Sequence, residues 1–169
     1  NQTRTYTVGP QTRATIKVND AIGNNKEVSM HVSCSSPIIA ERPMYFNYMN
    51  KWNGGHNVIG ATASNTNWYF AEGYTGDGFD EWLTIQNPND SSINATVTYM
   101  IKGAANQTRA YSVGPKTRYT VKINDAIGNG KEISMYVHCD QPIIAERPMY
   151  FNYMNKWTGG HDVVGFSTP

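Results

Sequence analysis

The chain has 169 residues, 16% of them charged, with 14 basic against 13 acidic residues and a formal net charge of +1. Charges spread this evenly leave no basic stripe for a nucleic acid and no acidic block for a solvating tail. There is no 18-residue apolar run that would cross a membrane as a helix, and the abundance of Asn, Thr, Ser, Gly and Tyr points to a β protein with a polar, weakly charged surface of the extracellular kind.

In chain order, residues 4–8 and 12–18 are expected as two short strands around Gly9-Pro10, a half-buried hairpin with Ala14, Ile16 and Val18 on one face and Thr15 and Lys17 on the other. Asn19-Asp-Ala-Ile-Gly23 reads as one helical turn, capped by Asn or Asp and ended by Gly23. Residues 26–33 and 37–48 read as strands. The second is expected at a sheet edge or broken by a bulge, because Pro43 has no N–H to give a ladder. After Trp52-Asn-Gly-Gly-His56 comes a short strand at 57–60 and a small polar linker to Asn67. Trp68-Tyr-Phe-Ala-Glu-Gly73 opens a new unit with an aromatic strand, residues 74–79 form a Gly-rich loop, and strands at 82–86 and 95–102 flank Asn87-Pro-Asn-Asp-Ser-Ser92.

From Asn106 the first pass begins again. Residues 1–60 and 106–165 align without a gap at 45 identical positions of 60, a period of 105 residues, and fixed-period self-similarity signals an array of like units. The chain then divides into a partial repeat, 1–64, which is the rear half of a unit, and a complete repeat, 65–169. Its first residue is Asn and no charged-then-apolar leader precedes the pattern, so the reading is of a mature or excised piece. Strands near ten residues apart with no amphipathic helix predict an all-β fold: antiparallel two-sheet immunoglobulin-like sandwich repeats. Period-two alternation selects Leu83, Ile85, Val97, Tyr99, Ile101, Val113, Tyr119, Val121, Ile123, Met135, Val137 and Phe151 as core. Cys34 and Cys139 occupy equivalent positions, one per unit. A lone cysteine cannot bridge within its unit, and alternation points to a buried thiol in each, the alternative being a bridge between units or between chains.

Taken together, Trp68-Tyr-Phe-Ala-Glu-Gly73, Trp82-Leu-Thr-Ile-Gln-Asn-Pro88, Tyr111-Ser-Val-Gly-Pro115 and Pro142-Ile-Ile-Ala-Glu-Arg-Pro-Met-Tyr150 resemble the tandem β-sandwich repeats of large secreted and cell-surface bacterial proteins. That resemblance covers the whole chain and implies architecture and location, with no site residues to transfer.

The chemistry-bearing residues fall short of a catalytic or metal constellation. Asp77, Asp80 and Glu81 sit in a Gly-containing loop, but Phe79 interrupts the alternate-ligand pattern of a calcium loop and no distal Glu follows. His56 and His161 each follow Gly-Gly without a second ligand at zinc spacing. Glu72, Glu146, Arg147 and His161 would need a cleft to act as acid, base and charge stabiliser; a salt bridge tying the closing strand to the Trp68 strand is the preferred reading. No catalytic residue, metal or cofactor is expected.

Aromatic residues exceed what one sandwich needs inside. Trp68, Tyr69, Tyr74, Tyr150, Tyr153, Met154 and Trp157 are therefore candidates for contact with a neighbouring unit or for a sugar-stacking platform. Asn1, Asn89, Asn94 and Asn106 head Asn-X-Ser/Thr sequons and are candidate glycosylation sites.

The expected role is a non-enzymatic structural repeat module of an extracellular or cell-surface assembly. It forms a filament or stalk, and its partners are copies of itself or adjacent repeats joined head to tail by strand addition. The alternative is a carbohydrate-binding adhesion module whose partners are cell-surface glycans. Two rear halves and one front half per chain leave one half-sandwich open, whichever rear half the front half completes.

Overall fold

A computed structural model describes residues 1–167, and the chain separates into a first unit, Asn1–Met30, and a second that begins at His31.

In the first unit the turns form and the strands do not. Thr12 returns its amide (3.3 Å) and its hydroxyl (2.8 Å) to the carbonyl of Gly9. Helix α1 (Val18–Ile22) ends at Gly23, whose φ of 91° is open only to glycine at its ψ of 166° and whose N–H reaches Asn19 O. The helix starts one residue before the expected cap, after Lys17, with no side-chain cap. Residues 1–8 and 12–17 pair with nothing in a ladder. The hairpin expected there does not exist, because the corresponding strands of the second copy belong to different ladders.

The second unit begins with a hairpin, β1 (Glu41–Tyr48) and β2 (Trp52–Ile59), in continuous antiparallel register from Glu41↔Ile59 to Tyr48↔Trp52. Its turn bonds Lys51 N to Tyr48 O at 2.9 Å with Met49 and Asn50 both at positive φ, the backbone hand that matches strand twist. Then follow β3 (Asn65–Tyr74), β4 (Phe79–Asn87), β5 (Ile93–Ile101), β6 (Gln107–Val113), β7 (Thr117–Lys122), the short helix α2 (Ile123–Ile127), β8 (Glu132–Tyr153) and β9 (Trp157–Val164). The fold is all-β and antiparallel, as expected.

The organising element is β8, at 22 residues. Its first half lies between β3 and β5, its second between β4 and β9, so the seven strands form one curled sheet in the order β6-β5-β8-β4-β7 with β3 and β9 also on β8. The β3 and β9 sides meet through the Tyr69↔Phe166 bridge. Pro148 sits inside this central strand and not at an edge. The β4 ladder runs Phe79–Glu81 against Met149–Phe151 and resumes at Thr84–Gln86 against Ile144–Glu146, so the proline falls in the gap where no N–H is demanded.

The enclosed core draws Trp68 and Phe70 from β3, Leu83 and Ile85 from β4, Val97 and Tyr99 from β5, and Met135, Val137, Ile143 and Ala145 from β8. Ten of the twelve expected core residues are buried. Tyr119 is exposed, with its ring beside Tyr111, and Phe151 is half-buried, stacked on Phe79. Asn87 is fully buried and ties the turn after β4 to the turn after β6, donating to Ser91 O at 2.8 Å and Gly114 O at 2.9 Å.

Candidate functional site

The repeated sequence meets two environments. In the second copy Met135, Val137 and Ile143 are 1%, 0% and 0% exposed, while their counterparts Met30, Val32 and Ile38 are 44%, 58% and 51% exposed. Val8 and Ile16 are exposed where Val113 and Val121 are buried, and Cys34 is an exposed free thiol where Cys139 is buried. In the second copy these residues lie on strands paired with β3, β4 and β5, the front half.

Asn19 and Asn124 repeat this contrast in polar terms. Each side chain donates to the next asparagine five residues on, at 3.1 Å. Asn124 also donates to Phe79 O at 2.9 Å and accepts from the Glu81 amide at 3.0 Å, clamping α2 to the front half.

One element of the first copy does find a partner. The β1–β2 hairpin lies across β9 and the outer face of the β4–β8 ladder, and Arg42, Phe46 and Tyr48 meet the second copy there. Arg42 spans Glu146, at 3.3 Å, and Asp162, whose side chain is 1% exposed. Tyr48 stacks on Tyr150 with ring centroids 4.3 Å apart and planes 5° from parallel, and Phe46 meets the same ring edge-on at 4.9 Å. Thr158 donates its hydroxyl to Asn53 O at 3.2 Å. Close approach depends on glycine: a Cβ on Gly160 would come within 2.7 Å of the Phe46 ring, and one on Gly54 within 3.0 Å of Gly159 Cα.

Electrostatics follow from burial. Desolvation raises the pKa values of Asp162 and Glu146, and Arg42 pulls both back down. Burial, then the Asp80 carboxylate, push the Tyr48 phenol up. On the inner face burial pushes Glu81 up to about 7, with Arg147 offsetting part of it. Burial lowers His56 and His161, with Arg42 and Arg147 respectively adding to the effect.

Sequence-selected residues separate into distinct roles. Trp68 is core: its indole N–H donates to Ile143 O at 3.0 Å. Tyr150 is the inter-copy contact. Tyr69 stacks on Tyr136 at 4.9 Å, and Tyr74 lines a shallow groove with Met100 and Lys102. Tyr153, Met154 and Trp157 are exposed at the tip of the second hairpin, Tyr153 and Trp157 stacked at 6.1 Å.

Arg147 is buried and acts on Glu81. It shares a sheet face with Glu81, two residues from that residue's register partner Met149, and neither Glu81 carboxylate oxygen has a hydrogen-bond partner. Asp80 pairs with Lys122 at 2.9 Å, so the acidic loop is divided between two sheet faces. Among the described residues no three His, Cys, Asp or Glu side chains gather as ion ligands. Asn1, Asn94 and Asn106 are exposed. Asn89 is engaged, donating to Asn87 Oδ1 and Pro142 O.

Sequence reasoning missed Arg42, Asp162, Phe46 and Tyr48. A signal was present: Asn57→Asp162 is one of few changes within the repeated closing stretch.

No protein-family model and no curated protein matches the sequence. Among solved structures, the Thermotoga maritima 1070 protein is similar at a TM-score of 0.57 and 15% identity over 62% of this chain and 96% of that one, a likeness of fold. The Anabaena sensory rhodopsin transducer aligns at a TM-score of 0.44 and 22% identity, covering 48% of this chain and 94% of that chain.

Proposed function

We propose that the chain is a non-enzymatic structural repeat module of an extracellular or cell-surface filament or stalk, of the tandem β-sandwich kind, in which strands are shared between neighbouring units. The observation that carries this reading is the open face of the first copy. Val32 and Ile38 face solvent although the same residues, as Val137 and Ile143, are wholly buried once a front half covers them. Exposed segments with strand alternation and no ladder partner recruit strands from a neighbour. In the second copy the strands beside Val137 and Ile143 come from residues 65–105, through Trp68↔Val137, Asn65↔Ile143 and Val97↔Val137. The fitting partner is therefore a further segment with the pattern of residues 65–105.

The test is thiol reactivity. In the chain as it stands the exposed Cys34 is expected to react rapidly with a disulfide reagent and the buried Cys139 slowly. In a chain extended ahead of Asn1 by a second copy of residues 65–105, Cys34 becomes as protected as Cys139. Unchanged reactivity of Cys34 in the extended chain overturns the reading.

A second reading, a carbohydrate-binding adhesion module for cell-surface glycans, is favoured by the stacked, exposed Tyr153 and Trp157, which offer an aromatic platform to a sugar face. It predicts glycan-array binding that Trp157→Ala abolishes; an array without binding removes it.

A further inference from the structure

We propose that the outer face of the β3–β8–β5 ladder is a binding platform for a neutral saccharide chain, built around Asn67, Tyr69, Tyr136 and His138. It takes its ligand class from the adhesion reading and stands on different residues from Tyr153 and Trp157. Register partners on neighbouring strands put their side chains on the same side of a sheet. The pairs Phe166↔Tyr69, Tyr69↔Tyr136, Tyr136↔Thr98 and Thr98↔Thr108 therefore line up as one row across the strands, roughly 19 Å long at a strand spacing of about 4.8 Å. The first half of the row is aromatic and open: Phe166 is 68% and Tyr69 42% exposed, and Tyr69 stacks on Tyr136. The second half is hydroxyl, with Thr98 Oγ1 and Thr108 Oγ1 3.4 Å apart. Beside it runs a second row, Asn67↔His138↔Thr96↔Ala110.

The polar groups of the two rows are held in place. The Tyr136 hydroxyl donates to Asn67 Oδ1 at 2.7 Å, His138 Nδ1 lies 3.0 Å from the same oxygen, and His138 Nε2 lies 3.4 Å from Asp140 Oδ1. These contacts order side chains that stand partly in solvent, where the core gains nothing from them. Comparison of the two copies separates the faces further. In residues 135–140 every inward residue is kept, Met135, Val137 and Cys139 matching Met30, Val32 and Cys34. Every alternate, outward one is changed: Tyr136, His138 and Asp140 stand where the first copy has His31, Ser33 and Ser35. Packing thus fixed the inner face, while the outer face of this copy took on a phenol and an imidazole that Asn67 gathers into one group. Neither row contains Lys, Arg, Asp or Glu, so the platform offers no counter-charge to a phosphate or a charged peptide. Open rings beside fixed hydroxyl, amide and imidazole groups suit a ligand of the same mixed kind, a sugar that lays its C–H face on an aromatic ring and bonds through its hydroxyls.

An array of immobilised neutral oligosaccharides, probed with the full chain, tests this. One variant is Tyr69→Ala. The other combines Tyr136→His, His138→Ser and Asp140→Ser, which gives this stretch the first copy's outward residues and leaves every buried side chain in place, with protection of Cys139 from a disulfide reagent reporting the intact core. The expected result is binding to at least one saccharide of the array, weakened about tenfold or more in both variants and retained in Trp157→Ala. Binding that survives in either variant overturns the platform, and if Trp157→Ala alone removes it the adhesion reading stands at the hairpin tip. An array without binding overturns both. Chains that sediment as dimers, and that lose this association in the same two variants, give the face to a second copy and overturn the saccharide.

Discussion

The first and second copies agree in their turns and differ in nearly everything that requires a partner. Gly23 and Gly128 take φ of 91° and 89°, Gln11 and Lys116 take 56° and 53°, and both helices span five residues at matching positions. Yet residues 107–113 and 117–122 are strands, and their counterparts are not. Turn geometry is thus written locally, in the glycines, asparagines and hydroxyls that close three-residue and four-residue loops. Strand and core are non-local: β6 exists because β5 lies beside it, and β7 because β4 does. The same alternating apolar residues become core or open surface according to whether three strands from elsewhere in the sequence arrive.

The sharpest way to break this comparison is to truncate one residue in both copies. Met135→Ala removes a side chain that is 1% exposed and should cost about 2–5 kcal/mol, the transfer of the lost atoms plus the cavity they leave. Met30→Ala should change stability by less than about 0.5 kcal/mol, as surface substitutions do. Denaturant midpoints at constant slope measure both. Equal losses at the two positions would mean that Met30 is covered in solution and that the two copies do not differ as described.

Fold class was legible in the sequence because it rests on period-two alternation, and the alternation in β4, β5 and β8 is nearly unbroken. Val97, Tyr99, Met135 and Val137 could be assigned to the core without knowing which strands pair. The pairing itself was not legible. Residues 12–18 follow 4–8 across a tight Gly-Pro turn, which is the local signature of a hairpin, but the turn carries the chain from one ladder to another. Trp68 stands among the contact candidates because aromatic residues outnumber what one core needs; its burial depends on Ile143, 75 residues away. The docking site escaped notice for a related reason. Arg42 and Glu41 adjoin in sequence and point to opposite faces, and the partners of Arg42 lie 104 and 120 residues on. Only the Asn57→Asp162 difference hinted that one copy had acquired a charge the other lacked.

The two arginines of the repeat allow a final, smaller test. Arg147 acts on Glu81, whose carboxyl burial raises from 4.5 to about 7, while Arg42 has only the outer-face acids of the second copy. A carboxyl whose folded pKa lies above its unfolded value is held protonated longer in the folded chain. Its contribution is therefore fully present below the unfolded pKa near 4.5, declines as pH rises, and is lost once pH passes through about 7. Glu81 is fully buried, so the whole shift counts, and it corresponds to about 3 kcal/mol lost across that window. Stability measured from pH 4 to pH 8 should fall more steeply in the native chain than in Glu81→Gln, and the difference between the two profiles isolates this group from Asp162 and Glu146, whose pKa values are raised as well. Arg147→Met should move the midpoint of that difference upward, since a favourable charge is withdrawn from the carboxylate. Arg42→Met should leave it unmoved. A midpoint that follows Arg42 would place the buried acid under the control of the wrong copy, and with it the division of the molecule into a completed repeat and an open one.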